Sequence, residues 1–142
     1  MENVLSLPVA TKPSSLARWG GRVLTALPVL FLSADGIFKV LKHPEVLKSG
    51  VQLGIPESII IPIGLILVGC TLLYAIPRTA PLGAVLLTGY LGGAVFVHMR
   101  VGDPLFSHTL FPIYVGAMIW TGLFLRDSRV RNLLSNPKEL AS

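Results

Sequence analysis

Four apolar stretches, each close to the thickness of a bilayer's hydrocarbon core, take up most of this chain. A helix needs about 20 residues to cross that core, within a range of roughly 17–25. Residues 22–41, 58–76, 81–99 and 110–125 meet this requirement, the last near its lower limit. A helix of a soluble protein keeps a polar stripe for solvent. The run IIIPIGLILVGCTLLYAI has no such stripe. Only 13% of the residues are charged, against about 25% in soluble domains. The expected fold is therefore all-α: an integral membrane four-helix bundle spanning the lipid bilayer.

The segments between the spans set the topology. Lys and Arg beside spans concentrate on the cytoplasmic side. The N-terminal segment, the second connection and the tail share one side and carry Lys12, Arg18, Arg22, Arg78, Arg126, Arg129, Arg131 and Lys138. The other side has Lys39, Lys42, Lys48 and Arg100. Eight against four places both termini in the cytoplasm, in a bacterial inner membrane. The expected partition is a cytoplasmic segment over 1–21, the membrane domain over 22–126 and a cytoplasmic tail over 127–142. The tail begins as a short amphipathic helix on the membrane surface. Prolines and basic residues precede the first apolar run, the reverse of a signal peptide's order, so the first helix is expected to be retained. The connection HPEVLKSGVQLGIPE is long enough to fold over the outer mouth. Trp19, Tyr74 and Trp120 are expected to seal the inner half.

The formal net charge is +5. In a soluble protein that excess would suggest nucleic acid, but here the basic residues flank apolar runs and no nucleic-acid partner is expected. A single cysteine, Cys70, allows no internal disulfide and reads as a small core residue. The third span holds Ala84, Thr88 and Gly92 at intervals of four, with Gly89 and Gly93 beside them. Small residues let membrane helices approach closely. Packing within the bundle is the expected use, and a homodimer contact the other.

Ionisable groups inside spans carry the functional signal, because each costs about 2.5–3.5 kcal/mol at the bilayer centre on translocon scales. Asp35 and Lys39 lie four apart on one helical face and can pair, with Lys42 further along the stripe. The third span ends in His98, with Arg100 and Asp103 just beyond; His108 opens the fourth, and Tyr114 follows two turns in. By topology these ends meet at the outer face, with Glu57 and Ser58. The candidates for proton transfer are Asp35 and His98. The candidates for ligand binding are Lys39, Arg100, Asp103, His108 and Tyr114. Two histidines across a loop, without a Cys/His cluster or H-E-x-x-H, give no expected metal site. Neither a nucleophile elbow nor a phosphate-binding loop is present.

Residues 79–134 carry a recognisable pattern: GYLGGA followed by H-x-R, then W-x-G-L-x-L-R-D, with S-A-D-G-I-F-K in the first span. In these motifs the chain resembles the DoxX-like membrane proteins over about residues 22–134. The resemblance implies a compact four-helix bundle and carries over Asp35, Lys39, His98 and Arg100 as a shared pocket. The family's name descends from a subunit of a thiosulfate:quinone oxidoreductase, which implies a quinone-type ligand and a redox-associated membrane complex. A cofactor-free enzyme of isomerase, hydratase or lyase type could use the same groups as acid and base. A non-catalytic scaffold is the third reading.

Overall fold

The computed structural model describes residues 14–135, all helical apart from short connections. Lys12 and Lys138, which enter the charge asymmetry, lie outside the described residues, as do residues 1–13 of the N-terminal segment and 136–142 of the tail. Helix α1 (Ser15–Val40) starts seven residues before the expected boundary. Ser14 caps it, its hydroxyl accepting from the Ala17 amide at 3.2 Å, which satisfies one of the orphan donors of the first turn. Helix α3 covers Glu57–Ala75 and α4 Ala80–Val101. Helix α5 runs Phe111–Arg126, preceded by one π-helical turn, Leu105–Thr109. That turn lengthens the fourth helical stretch to 22 residues, so the last span is longer than its apolar run suggests. Pro81 and Pro112 sit in first turns, where a missing N–H costs nothing.

Two short helices complete the described residues. The first connection contains α2 (Pro44–Gln52), with His43 as N-cap, Pro44 in the first turn and Glu45 behind it. The tail begins as α6 (Ser128–Ser135), as its pattern predicts, with Val130 buried beneath it.

Three helices end alike. After α1, the His43 amide bonds Phe38 O and the Lys42 amide bonds Lys39 O. The same paired bonds close α2 at Gly50 and Val51, and α4 at His98 and Met99. This is the Schellman stop, which wants a left-handed residue just past the helix. Gly54 (φ 65°) and Gly102 (φ 75°) supply it, and so, unusually, does Lys42 (φ 51°). Lys42 thus leaves the Asp35–Lys39 stripe and instead reaches Glu57 at 2.9 Å, tying the end of α1 to the start of α3.

Helix α1 packs against α3 and α5, and α4 packs against the same two. The four long helices form a ring with α1 and α4 at opposite corners. Close approach comes from glycines other than those expected. A Cβ on Gly36 would lie 2.7 Å from Val68 Cγ2, and one on Gly64 would lie 2.7 Å from Lys39 Cβ; these join α1 to α3. Gly21 meets Leu125 on α5, Gly122 meets Thr25 on α1, and Gly83 meets the backbone at Tyr74. Lipid offers no hydrophobic drive between helices, so such approach is what holds them. Leu30 (69% exposed) and Phe96 (67%) point outward. Four helices are long and apolar enough to span, and these outward side chains suit acyl chains. The protein is a multi-pass membrane protein.

The aromatic seal differs from expectation. Tyr74 is fully buried, its hydroxyl donating to Ile119 O at 2.9 Å, so it plugs the core rather than resting at an interface. Trp19 is exposed beside Arg22, and Trp120 faces outward, its Nε1–H donating to Thr88 Oγ1 at 2.9 Å.

Candidate functional site

The glycine contacts cluster unevenly. Gly21–Leu125, Gly122–Thr25 and Gly83–Tyr74 all lie toward the end carrying the termini, where Tyr74 fills the centre. Toward the α2 end only the Gly36–Gly64 crossing draws two spans together. There α1 and α4 stand apart across the ring and enclose a cavity of about 560 Å³. Its walls are mainly apolar, from Phe31, Ile60, Ile63, Val97 and Val115 among others. Helix α2 and the residues after it close one side through Val46, Gly50, Leu53 and Ile55, so the first connection does fold over the mouth.

Three of the candidate residues line this cavity together: Asp35 and Lys39 from α1, and His98 from α4. Lys39 Nζ donates to Asp35 Oδ2, and both side chains are partly buried. The pairing offsets the cost of each charge at this depth. His98 Nδ1 bonds Asp103 Oδ2 at 2.6 Å. The Schellman stop at Gly102 creates this pair: it folds Asp103 back over the residue five before it, where an apolar contact is common. After α1 the equivalent positions are Phe38 and His43, whose rings meet at a tilt of 37° with centroids 5.2 Å apart. Donating through Nδ1 leaves Nε2 of a neutral His98 as an acceptor.

The other candidates stand outside the cavity wall. Asp103 acts behind His98. His108 is exposed, its Nδ1 at 2.8 Å from Ser107 Oγ, with its ring centroid 6.1 Å from that of His98. Arg100 Nη2 donates to Leu53 O at 2.6 Å, so it holds the end of α2 against α4. Tyr114 is 46% exposed on the outer surface of α5 and does not reach the cavity. Its two-turn offset from His108 assumed a regular helix; the π-helical turn before α5 changes the phase. Among the described residues, no three His, Cys, Asp or Glu side chains gather as metal ligands would.

Two polar side chains of the cavity were not singled out from sequence: Tyr90 on α4 and Ser49 on α2. Ser49 lies in a connection whose helix was not foreseen, although His43-Pro44-Glu45 is a readable start. Tyr90 was read only as part of GYLGGA. Gly89 and Gly93 also line the cavity, and a Cβ on either would meet nothing within 4 Å. They do not pack the bundle; of the small-residue stripe it is Ala84, fully buried in the core, that does.

At the opposite end, basic residues close off helix α3. Arg126 Nη2 donates to Tyr74 O at 2.8 Å and Arg129 Nη2 to Pro77 O at 2.7 Å, where cations suit a helix C-terminus. Hydrogen bonds from Arg129 also hold the Asp127 carboxyl below the usual carboxylate range.

The family model described as DoxX-like matches residues 23–122, which takes in α1 from Val23, all of α2 to α4, α5 as far as Gly122, and every cavity-lining side chain named above. No curated protein and no solved structure matches the chain.

Proposed function

The chain belongs to the DoxX-like family, and on that footing we propose that its cavity holds a lipophilic, quinone-type molecule and that the protein serves as a subunit of a redox-associated membrane complex. The observation that carries this reading is the cavity itself. It is an apolar space of about 560 Å³ with Asp35, Lys39 and His98 at its polar end, on the scale of small-molecule pockets. An apolar molecule reaches such a space from the bilayer and meets groups able to exchange protons. Asp35 and His98 are the proton-transfer pair, Lys39 fixes Asp35, and Asp103 sets the orientation of His98.

Purified protein titrated with a short-tailed benzoquinone tests this. Saturable binding that weakens in Asp35→Asn and His98→Ala is expected. Affinity unchanged in both variants would remove the proposed site.

The reading places the α2 end outward and both termini in the cytoplasm of a bacterial inner membrane. Arg18, Arg22, Arg78, Arg126, Arg129 and Arg131 at the terminal end support that orientation, against Lys39, Lys42, Lys48 and Arg100 at the other. Residues 22–126 then form the membrane domain. The first turns of α1, from Ser15, stand among the headgroups, and α6 lies on the surface.

A second reading rests on the His98–Asp103 pair, an arrangement that also serves general acid–base catalysis. In that case the cavity would take an apolar substrate for isomerisation, hydration or elimination without a cofactor. Turnover in a quinone-free preparation would favour it, and loss of turnover on quinone removal would count against it.

A further inference from the structure

The cavity's other polar side chains each already have a hydrogen-bond partner. Asp35 holds Lys39, Asp103 holds His98, and Ser49 Oγ donates to Val46 O at 3.0 Å. Tyr90 lines the same cavity and is partly buried against the core, yet its hydroxyl bonds no described residue. A phenol is both donor and acceptor, and one that faces the cavity without a partner is the spare capacity of the site. The charges cancel within the Asp35–Lys39 pair, so an ionised ligand would have to break it. A neutral molecule with an oxygen acceptor would not.

The wall beside Tyr90 is equally specific. Gly89 and Gly93 flank it and face open space, so the backbone there is bare. On the α1 and α5 sides, Phe31 and Phe111 line the cavity with rings meeting edge to face at 5.4 Å. A bare glycine strip opposed by aromatic rings accommodates a flat group better than a branched one.

We propose that the ligand is a neutral molecule with a flat ring, that this ring lies against the strip of Gly89 and Gly93, and that Tyr90 donates a hydrogen bond to an oxygen on it. Tyr90 is then the residue that selects the ring oxygen, and the two glycines set the thickness of what enters. This rests on the reading of the cavity as a lipophilic site and narrows its ligand class.

The test compares four probes on purified protein: decyl-benzoquinone, decylbenzene, 2-dodecanone and decanoate. Wild type is measured beside Tyr90→Phe, Gly93→Ala and Gly93→Val, with thermal unfolding as the control for folding. The expected result is that decyl-benzoquinone binds most tightly. Tyr90→Phe weakens it about fivefold, the scale of one hydrogen bond, and leaves decylbenzene unchanged. Gly93→Ala melts at or above the wild-type temperature, because its methyl meets nothing and alanine favours the helix, while quinone affinity falls from Gly93→Ala to Gly93→Val. If 2-dodecanone or decanoate binds as tightly as the quinone, or Tyr90→Phe leaves quinone affinity unchanged, the ring assignment fails while a lipophilic site stands. If no probe binds wild type, the proposed function fails with it.

Discussion

Single positions at helix ends decide how this site is built. Gly102 takes φ 75° just past α4, and the turn it permits brings Asp103 onto His98. Forcing a side-chain-bearing residue into the left-handed region costs about 1–2 kcal/mol. Gly102→Ala should lower the melting temperature in detergent and also weaken ligand binding, through the displaced carboxylate; full retention of both would contradict this account of the turn. The Asp35–Lys39 pair invites a double-mutant cycle. Asp35→Leu alone and Lys39→Met alone each leave one charge in an apolar wall, whereas the double variant leaves none. Thermal unfolding should show each single variant less stable than the double, and additive losses would argue that the two groups act separately. At the far end, hydrogen bonds from Arg129 lower the Asp127 pKa in the folded state. Its contribution is therefore fully present above the ordinary carboxylate pKa of about 3.9 and lost as pH falls through the lower folded value. The stability gap between wild type and Asp127→Asn should be constant near neutrality and close only in strong acid, as a pH series of unfolding measurements would reveal.

Among elements, the glycines divide by what lies above them. Gly64 faces Lys39 Cβ and the backbone of Gly36, while Gly89 and Gly93 face open cavity. Gly64→Ala should push α1 from α3 and cost more than about 1 kcal/mol, on the scale of overpacking, whereas Gly89→Ala and Gly93→Ala, whose methyls meet nothing, should melt at or above the wild-type temperature. Equal losses at all three would mean that the stripe packs against something after all. The four spans were legible in the sequence because each is a predominantly apolar run of bilayer length. The helix starts were less so: α1 begins at Ser15, where Ser14 caps it, before hydropathy rises. Helix α2 was missed because nine residues, PEVLKSGVQ, are too few and too mixed for hydropathy to register. Spacing alone also could not tell which small residues touch a neighbour, since that depends on how the four helices are rotated in the ring.

For the whole molecule, the tight packing around Tyr74 at one end and the gap between α1 and α4 at the other are two sides of one arrangement. Topology alone brought Asp35, Lys39 and His98 to the same end, and they do line one cavity. It could not separate them from Arg100, which ties down α2, or from Tyr114, which faces outward, because both lie at the same depth. On the proposed function, a lipophilic molecule sits within this cavity and not merely on the lipid-facing surface. Photolabelling purified protein with a decyl-benzoquinone carrying a photoreactive group, followed by peptide mapping, tests it most directly. Label is expected on α1 between Phe31 and Lys39 and on α4 between Gly89 and His98, displaced by excess unlabelled quinone. Label spread over outward residues such as Leu30 and Phe96, undiminished by competitor, would contradict it.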